Sequence, residues 1–110
     1  MSREPLPNRR LAETFNFEIS GLHYTCTIGR YSDGRLAEIF LQNTKAGSQS
    51  DGNARESAIA ASLALQFGCP AETLRGAVLR NPNGTACTPL GAALDRIAEF
   101  QNERLGVKEI

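Results

Sequence analysis

The hydrophobic period of this chain changes once, between Leu41 and Asn53, and that change constrains the fold more than any other feature. Before it, apolar and polar residues alternate, as they do along a half-buried strand. After it, apolar residues recur every three or four positions, as on one face of a helix. The segment Leu36-Ala-Glu-Ile-Phe-Leu-Gln-Asn-Thr-Lys-Ala-Gly-Ser-Gln-Ser50 spans most of the switch, running from a strand into a small, polar, glycine-containing loop. A chain that places its strands first and its helices second makes a sheet layer with helices against it.

Residues 15–41 read as a three-stranded antiparallel meander. Phe15-Asn-Phe-Glu-Ile19 alternates, and Ser20-Gly21 is a tight turn. Tyr24, Cys26 and Ile28 share one face of the second strand; His23, Thr25 and Thr27 share the other. Tyr31-Ser-Asp-Gly34 supplies an Asp-Gly pair for the next hairpin. In the third strand, Arg35–Gln42, alternation puts Ala37, Ile39 and Leu41 in the core. It puts Leu36 and Phe40 on the opposite face, flanking Glu38.

The first helix is expected from Asn53 to Phe67, capped by Asp51 and ended by Gly68. Ala54, Ala58, Ala61 and Leu65 form its inner stripe, with Ile59 and Leu63 beside it. A second helix covers Pro70 to Leu79 and buries Leu74 and Val78; Pro70 suits its first position and Glu72 its positive end. Asn81-Pro-Asn-Gly84 is a turn. Thr88 then caps a third helix that opens on Pro89, with Leu90, Leu94 and Ile97 at core spacing. The fold class is therefore α/β of the α+β type: a three-stranded antiparallel meander followed by three helices packed on one face. Residues 1–10 read as a flexible arm, 11–104 as a single domain and 105–110 as a frayed tail. A sheet covered on one face leaves a second to cover, and Leu36 with Phe40 make self-association as a homodimer the expected solution.

Lysine plus arginine equals aspartate plus glutamate, at 12 each, which argues against nucleic acid as a partner, since phosphate binding calls for a positive excess. No apolar run is long enough to span a membrane, and no apolar stretch follows the N-terminus as a secretion signal would require. Cys26, Cys69 and Cys87 are odd in number and widely spaced, so neither a disulfide framework nor a CxxC site is present. A reducing, cytoplasmic setting is expected.

The loop from Asn43 to Asn53 is the best candidate site. Lys45 supplies charge, Gly47 lets backbone N–H groups approach a ligand, and a helix begins at once. Lys45, Gly47, Ser48, Gln49, Ser50 and Asn53 could together hold a small anion such as a phosphate or carboxylate; a structural loop with a capped helix is the competing reading. Cys69 and Cys87 each precede a helix, where a thiolate is stabilised, so they are candidate reactive thiols against the plainer reading of cap-region residues. Cys26 belongs to the core. His23, the single histidine, is in no motif, and no catalytic set and no metal site is expected. Arg9, Arg10, Arg30 and Arg35 could form a local basic patch. No cofactor is implied.

Several segments resemble the TSCPD domain, found near the C-terminus of adenosylcobalamin-dependent ribonucleotide reductases and in small stand-alone bacterial proteins. They are Gly21-Leu-His-Tyr-Thr25, Asp33-Gly-Arg-Leu-Ala-Glu-Ile-Phe-Leu41, Lys45-Ala-Gly-Ser48, the helix Ala58 to Gly68, and Thr85-Ala-Cys-Thr-Pro89. The resemblance covers about residues 9–100, so the domain 11–104 is TSCPD-like. Cys87 matches the cysteine of the family's Thr-Ser-Cys-Pro-Asp signature; the proline follows one residue later, and the aspartate is absent. Asn81-Pro82 stands where the reductases have an earlier Cys-Pro, and the large catalytic barrel is missing. The resemblance thus implies a non-catalytic interaction or regulatory module rather than an enzyme, with another protein or a second copy as partner. Binding of a small anion or nucleotide by the 43–53 loop is the alternative.

Overall fold

The computed structural model describes residues 2–45 and 47–104, the last three as backbone only. The expected tail at 105–110 lies outside them. Strands β1 (Ala12–Ile19), β2 (Leu22–Arg30) and β3 (Leu36–Asn43) form one antiparallel sheet in the order β1-β2-β3. Helices α1 (Gln49–Gln66), α2 (Ala71–Ala77) and α3 (Pro89–Arg104) follow. The meander and the three helices are those the period switch predicts. Helix α1 lies along β3, while α3 reaches β1, where Phe100 meets Phe15 edge-on with ring centroids 5.2 Å apart.

Ser20 and Gly21 both have positive φ, 53° and 76°, the requirement of a two-residue hairpin turn whose twist matches that of the strands. Ile19 and Leu22 are consequently direct partners, and pairing runs without a slip to Ala12↔Gly29. Strand β1 begins at Ala12 rather than Phe15, because this hairpin carries its register past the apolar residues.

The β2–β3 register is interrupted. Gly29 faces Glu38, but Arg30 faces Leu36, so Ala37 is an extra residue on β3. The bulge overturns the expected face of Leu36. It turns inward, 6% exposed, and joins the core, while Phe40, beyond the bulge, stays outward at 55%. Strict alternation cannot anticipate an inserted residue. The surface proposed for dimerisation on Leu36 and Phe40 together therefore does not exist.

Helix α1 starts at Gln49, four residues before Asn53, and its N-cap is Ser48 rather than Asp51. The Ser48 hydroxyl accepts the Asp51 N–H at 3.1 Å. Gly52 and Asn53, weak helix formers, hide this start in the sequence, but the cap and an acidic first turn offset them. The stripe Ala54, Ala58, Ala61 and Leu65 is buried as expected. Its small side chains let the helix approach the sheet. At the far end Gly68, at φ 105°, bonds the Leu65 carbonyl and Cys69 N–H reaches that of Ala64, the paired bonds of a Schellman cap.

Helix α2 is shorter than expected: Pro70 is its cap position and Val78 is already extended. Leu74 and Val78 are half-buried against the core. The Asn81–Gly84 turn is present, with Gly84 N–H bonded to Asn81 carbonyl at 2.8 Å, and Thr88 caps α3 by accepting Gly91 N–H at 3.1 Å. Leu94 and Ile97 are buried and Leu90 is half-buried. Among the described residues no helix is long and apolar enough to cross a membrane.

Candidate functional site

Strand β3 is one edge of the sheet, β1 being the other, and an edge leaves every second residue's N–H and C=O without a strand partner. Here α1 supplies partners from its side chains. Ser62 Oγ accepts the Ile39 N–H at 2.8 Å and donates to the Ile39 carbonyl at 3.1 Å. Gln66 donates to the Ala37 carbonyl at 3.1 Å, and Asp51 accepts the Asn43 N–H at 3.0 Å. The helix thus partners this edge at Ala37, Ile39 and Asn43.

The outer flank of this junction is a groove of about 530 Å³. Thr25, Thr27 and Phe40 come from the sheet, Ile59 and Leu63 from α1. Phe40, Ile59 and Leu63 are 55%, 60% and 41% exposed, so an apolar surface built from two elements is left in water. The sheet beside it is polar: Thr14 bonds Thr27 at 3.0 Å, and Thr25 donates to Asn16 at 2.8 Å. An apolar centre with a hydrogen-bonded polar surround is the layout of a protein-binding patch. Ile59 and Leu63 were legible as helix residues beside the core stripe, but their meeting with Phe40 was not.

In the 43–53 loop, Lys45 is exposed and its N–H bonds the Asn43 side-chain oxygen at 2.8 Å. The Nδ2 of that buried asparagine has no hydrogen-bond partner among the described residues. Gly47 N–H is turned to the Asp51 carboxylate at 3.4 Å. An external anion would have to displace an internal one there. Gln49, Ser50 and Asn53 are helical, Asn53 well inside α1. The Asn43 N–H holds the Asp51 carboxyl below the usual carboxylate range, Gly47 and Arg55 add to this, and burial opposes it. Asp51 therefore works as the organising anion of the loop.

The candidate thiols stay separate. Cys69 is half-buried, its sulfur 3.6 Å from the Pro70 carbonyl, and Cys87 is exposed. Cys26 is fully buried, and burial pushes its thiol up to about 12. His23 sits on the outer sheet face, 3.4 Å from Glu18. Among the described residues no group of three or more His, Cys, Asp or Glu is placed to hold a metal ion. The expected basic patch is not an open one. Arg30 is buried, Arg10 pairs with Glu38 at 2.6 Å, and Arg35 pairs with Glu4 and Asp33. The 2–10 segment supplies two of these partners, Arg10 and Glu4, and Glu4 N–H also bonds the Gln66 carbonyl at 2.8 Å.

Over 70 residues, 64% of this chain, the sequence is 40% identical to a vitamin B12-dependent ribonucleotide reductase of Agrobacterium fabrum. The chain is homologous to a segment of the vitamin B12-dependent ribonucleotide reductases. The corresponding enzyme of Rhodopirellula baltica is 38% identical over 72 residues, 66% of the chain, and that of Streptantibioticus cattleyicolor 38% over 71, or 64%. The matched regions are 6%, 7% and 12% of those three proteins, so the chain corresponds to a small part of each. No family model matches the chain, and no solved structure matches it significantly. This relationship agrees with the TSCPD-type resemblance of the sequence and makes the chain a small ribonucleotide reductase-related domain.

Proposed function

We propose that this ribonucleotide reductase-related domain is a non-catalytic interaction module that docks on a partner protein through the α1–β3 groove. The observation that carries the reading is the exposed apolar surface of Phe40, Ile59 and Leu63 over a groove of about 530 Å³. Its relatives carry the matching segment within much longer chains, where a small domain has protein surface to pack against. The first partner to test is therefore a vitamin B12-dependent ribonucleotide reductase polypeptide, with a second copy of this chain as the control.

Sedimentation velocity of the chain alone and mixed with the reductase tests this, using Ile59→Lys and Leu63→Lys. Both positions are exposed, so both variants should fold. Complex formation with the reductase that weakens at least tenfold in each variant is the expected result, since a charge buried in an apolar contact costs several times that factor in energy terms. Self-association abolished by the same variants would make the partner a second copy. A chain that stays monomeric and does not bind the reductase, or complexes indifferent to both substitutions, would overturn the docking surface.

A further inference from the structure

Strand β1 is the second edge of the sheet, and alternation fixes which of its backbone groups point outward. A two-residue turn makes its flanking residues a hydrogen-bonded pair, here Ile19 and Leu22, and the Arg30 N–H bonds the Leu11 carbonyl at 3.3 Å. Odd-numbered residues of β1 therefore bond β2, and the N–H and C=O groups of Thr14, Asn16 and Glu18 face away from the sheet. Among the described residues nothing bonds those outward groups, whereas α1 supplies partners to β3. From Thr14 to Glu18 the strand has no proline, lysine, bulge or inward-pointing charge, the usual guards of an edge. Phe15 and Phe17 point inward yet stay half-buried, because one side of an edge strand has no neighbour. Between this edge and α3 lies a cleft of about 360 Å³, lined by Asn16, Phe17 and Glu18 of β1 and by Ala92 and Asp95 of α3. None of the groove residues Phe40, Ile59 and Leu63 borders it.

We propose that the edge from Thr14 to Glu18 takes an extended segment of a partner protein as a fourth, antiparallel strand, with basic residues on its outer face and β-branched residues on its inner face. Strand addition satisfies the outward N–H and C=O groups, which gives affinity, while alternate side chains give specificity. The residue opposite Phe17 would cover the open side of that ring and enter the cleft walled by Ala92. The residue opposite Glu18 lies on the outer face. The Glu18 side chain is 57% exposed, and among the described residues it meets no lysine or arginine, its ionisable partner being His23 at 3.4 Å. A lysine or arginine on the added strand would therefore find an open counter-charge there. A second copy of β1 fits less well, since it brings Glu13 and Glu18 and no cation in any register.

The capped peptide Thr-Lys-Val-Thr-Val-Lys-Thr is the probe, read by amide chemical shifts and hydrogen exchange on the full chain. It should bind saturably, shifting the Thr14, Asn16 and Glu18 amides and slowing their exchange. N-methylation of its central threonine removes a donor to the edge and should weaken binding at least about tenfold. N-methylation of the valines, whose N–H groups point away from the edge, should cost little. Glutamate in place of both lysines should weaken binding about fivefold, and Glu18→Lys should reverse that preference. Asn16→Pro removes one outward N–H and no bond to β2, so the ladder is kept and peptide binding should fall at least about tenfold. Outward amides already protected in the free chain, or self-association that Asn16→Pro abolishes, would overturn the proposal by filling the edge with this chain itself. Threonine N-methylation without effect, an unchanged peptide preference in folded Glu18→Lys, or no saturation up to about 10 mM would each overturn it as well.

Discussion

Ser62 and Ile39 form a closed two-bond ring across the edge of the sheet: one hydroxyl both accepts from the N–H of Ile39, at 2.8 Å, and donates to its carbonyl, at 3.1 Å. Ile39 is 1% exposed, so neither backbone group has ready access to water. Ser62→Ala should therefore destabilise the fold by about 1–3 kcal/mol, the cost of orphaned buried groups rather than of one surface bond. Urea unfolding measures it. A loss below about 0.5 kcal/mol would mean that the edge does not depend on this side chain.

Gly29 and Glu38 test the bulge from the other strand. A Cβ on Gly29 would lie 2.8 Å from Glu38 Cγ, inside any ordinary contact. Gly29→Ala should cost about 1–3 kcal/mol by overpacking. Glu38→Ala removes both the obstruction and the 2.6 Å pair with Arg10. The double variant should be clearly more stable than the sum of the two losses predicts, and chemical denaturation of all four proteins gives the coupling.

The faces of Leu36 and Phe40 can be told apart by truncation. Leu36→Ala should destabilise by about 2–4 kcal/mol, as for a core leucine, and Phe40→Ser should change stability by only about 0.5 kcal/mol. Similar losses at both positions would restore the uninterrupted alternation and remove the bulge.

Acid should loosen the protein through Asp95 and Asp51. Hydrogen bonds from Arg80, aided by Arg75, hold Asp95 down at about 2 against the opposing effect of burial. Asp51 is lowered in the same direction by the Asn43 N–H. A carboxyl depressed on folding binds fewer protons in the native state than in the unfolded chain. Its contribution is therefore fully present above the unfolded pKa near 4 and is lost as pH falls toward the folded value. For Asp95 that contribution is about 1–2 kcal/mol. Asp95→Asn should lower stability at pH 7 and flatten its decline between about pH 4 and 2. Thermal unfolding across that range checks it, and an unchanged acid slope would show that Asp95 is not part of it.

Local chemistry determined the elements of this protein. The alternation of Phe15, Phe17 and Ile19, the Ser20-Gly21 turn, the alanine stripe from Ala54 to Ala61, the Gly68 stop and the Thr88-Pro89 start each act within a few residues, so each could be read from the sequence. The resemblance to the ribonucleotide reductase domain rested on short local segments too, among them Asp33–Leu41 and Ala58–Gly68, and agrees with the homology found. What lay beyond reach was set by contacts between distant residues. The first turn of α1 was hidden because its stability comes from the Ser48 cap and from an Asp51 carboxylate engaged by Asn43 and Gly47. The extra residue at Ala37 reversed Leu36, because strand register is a property of two strands and not of one. Phe40 came to line one groove with Ile59 and Leu63 only once α1 had docked on β3, and Arg30 became a buried cation only when Glu13, Gly34 and Gln101 closed around it. Periodicity says which residues leave water. Packing alone decides which of them meet.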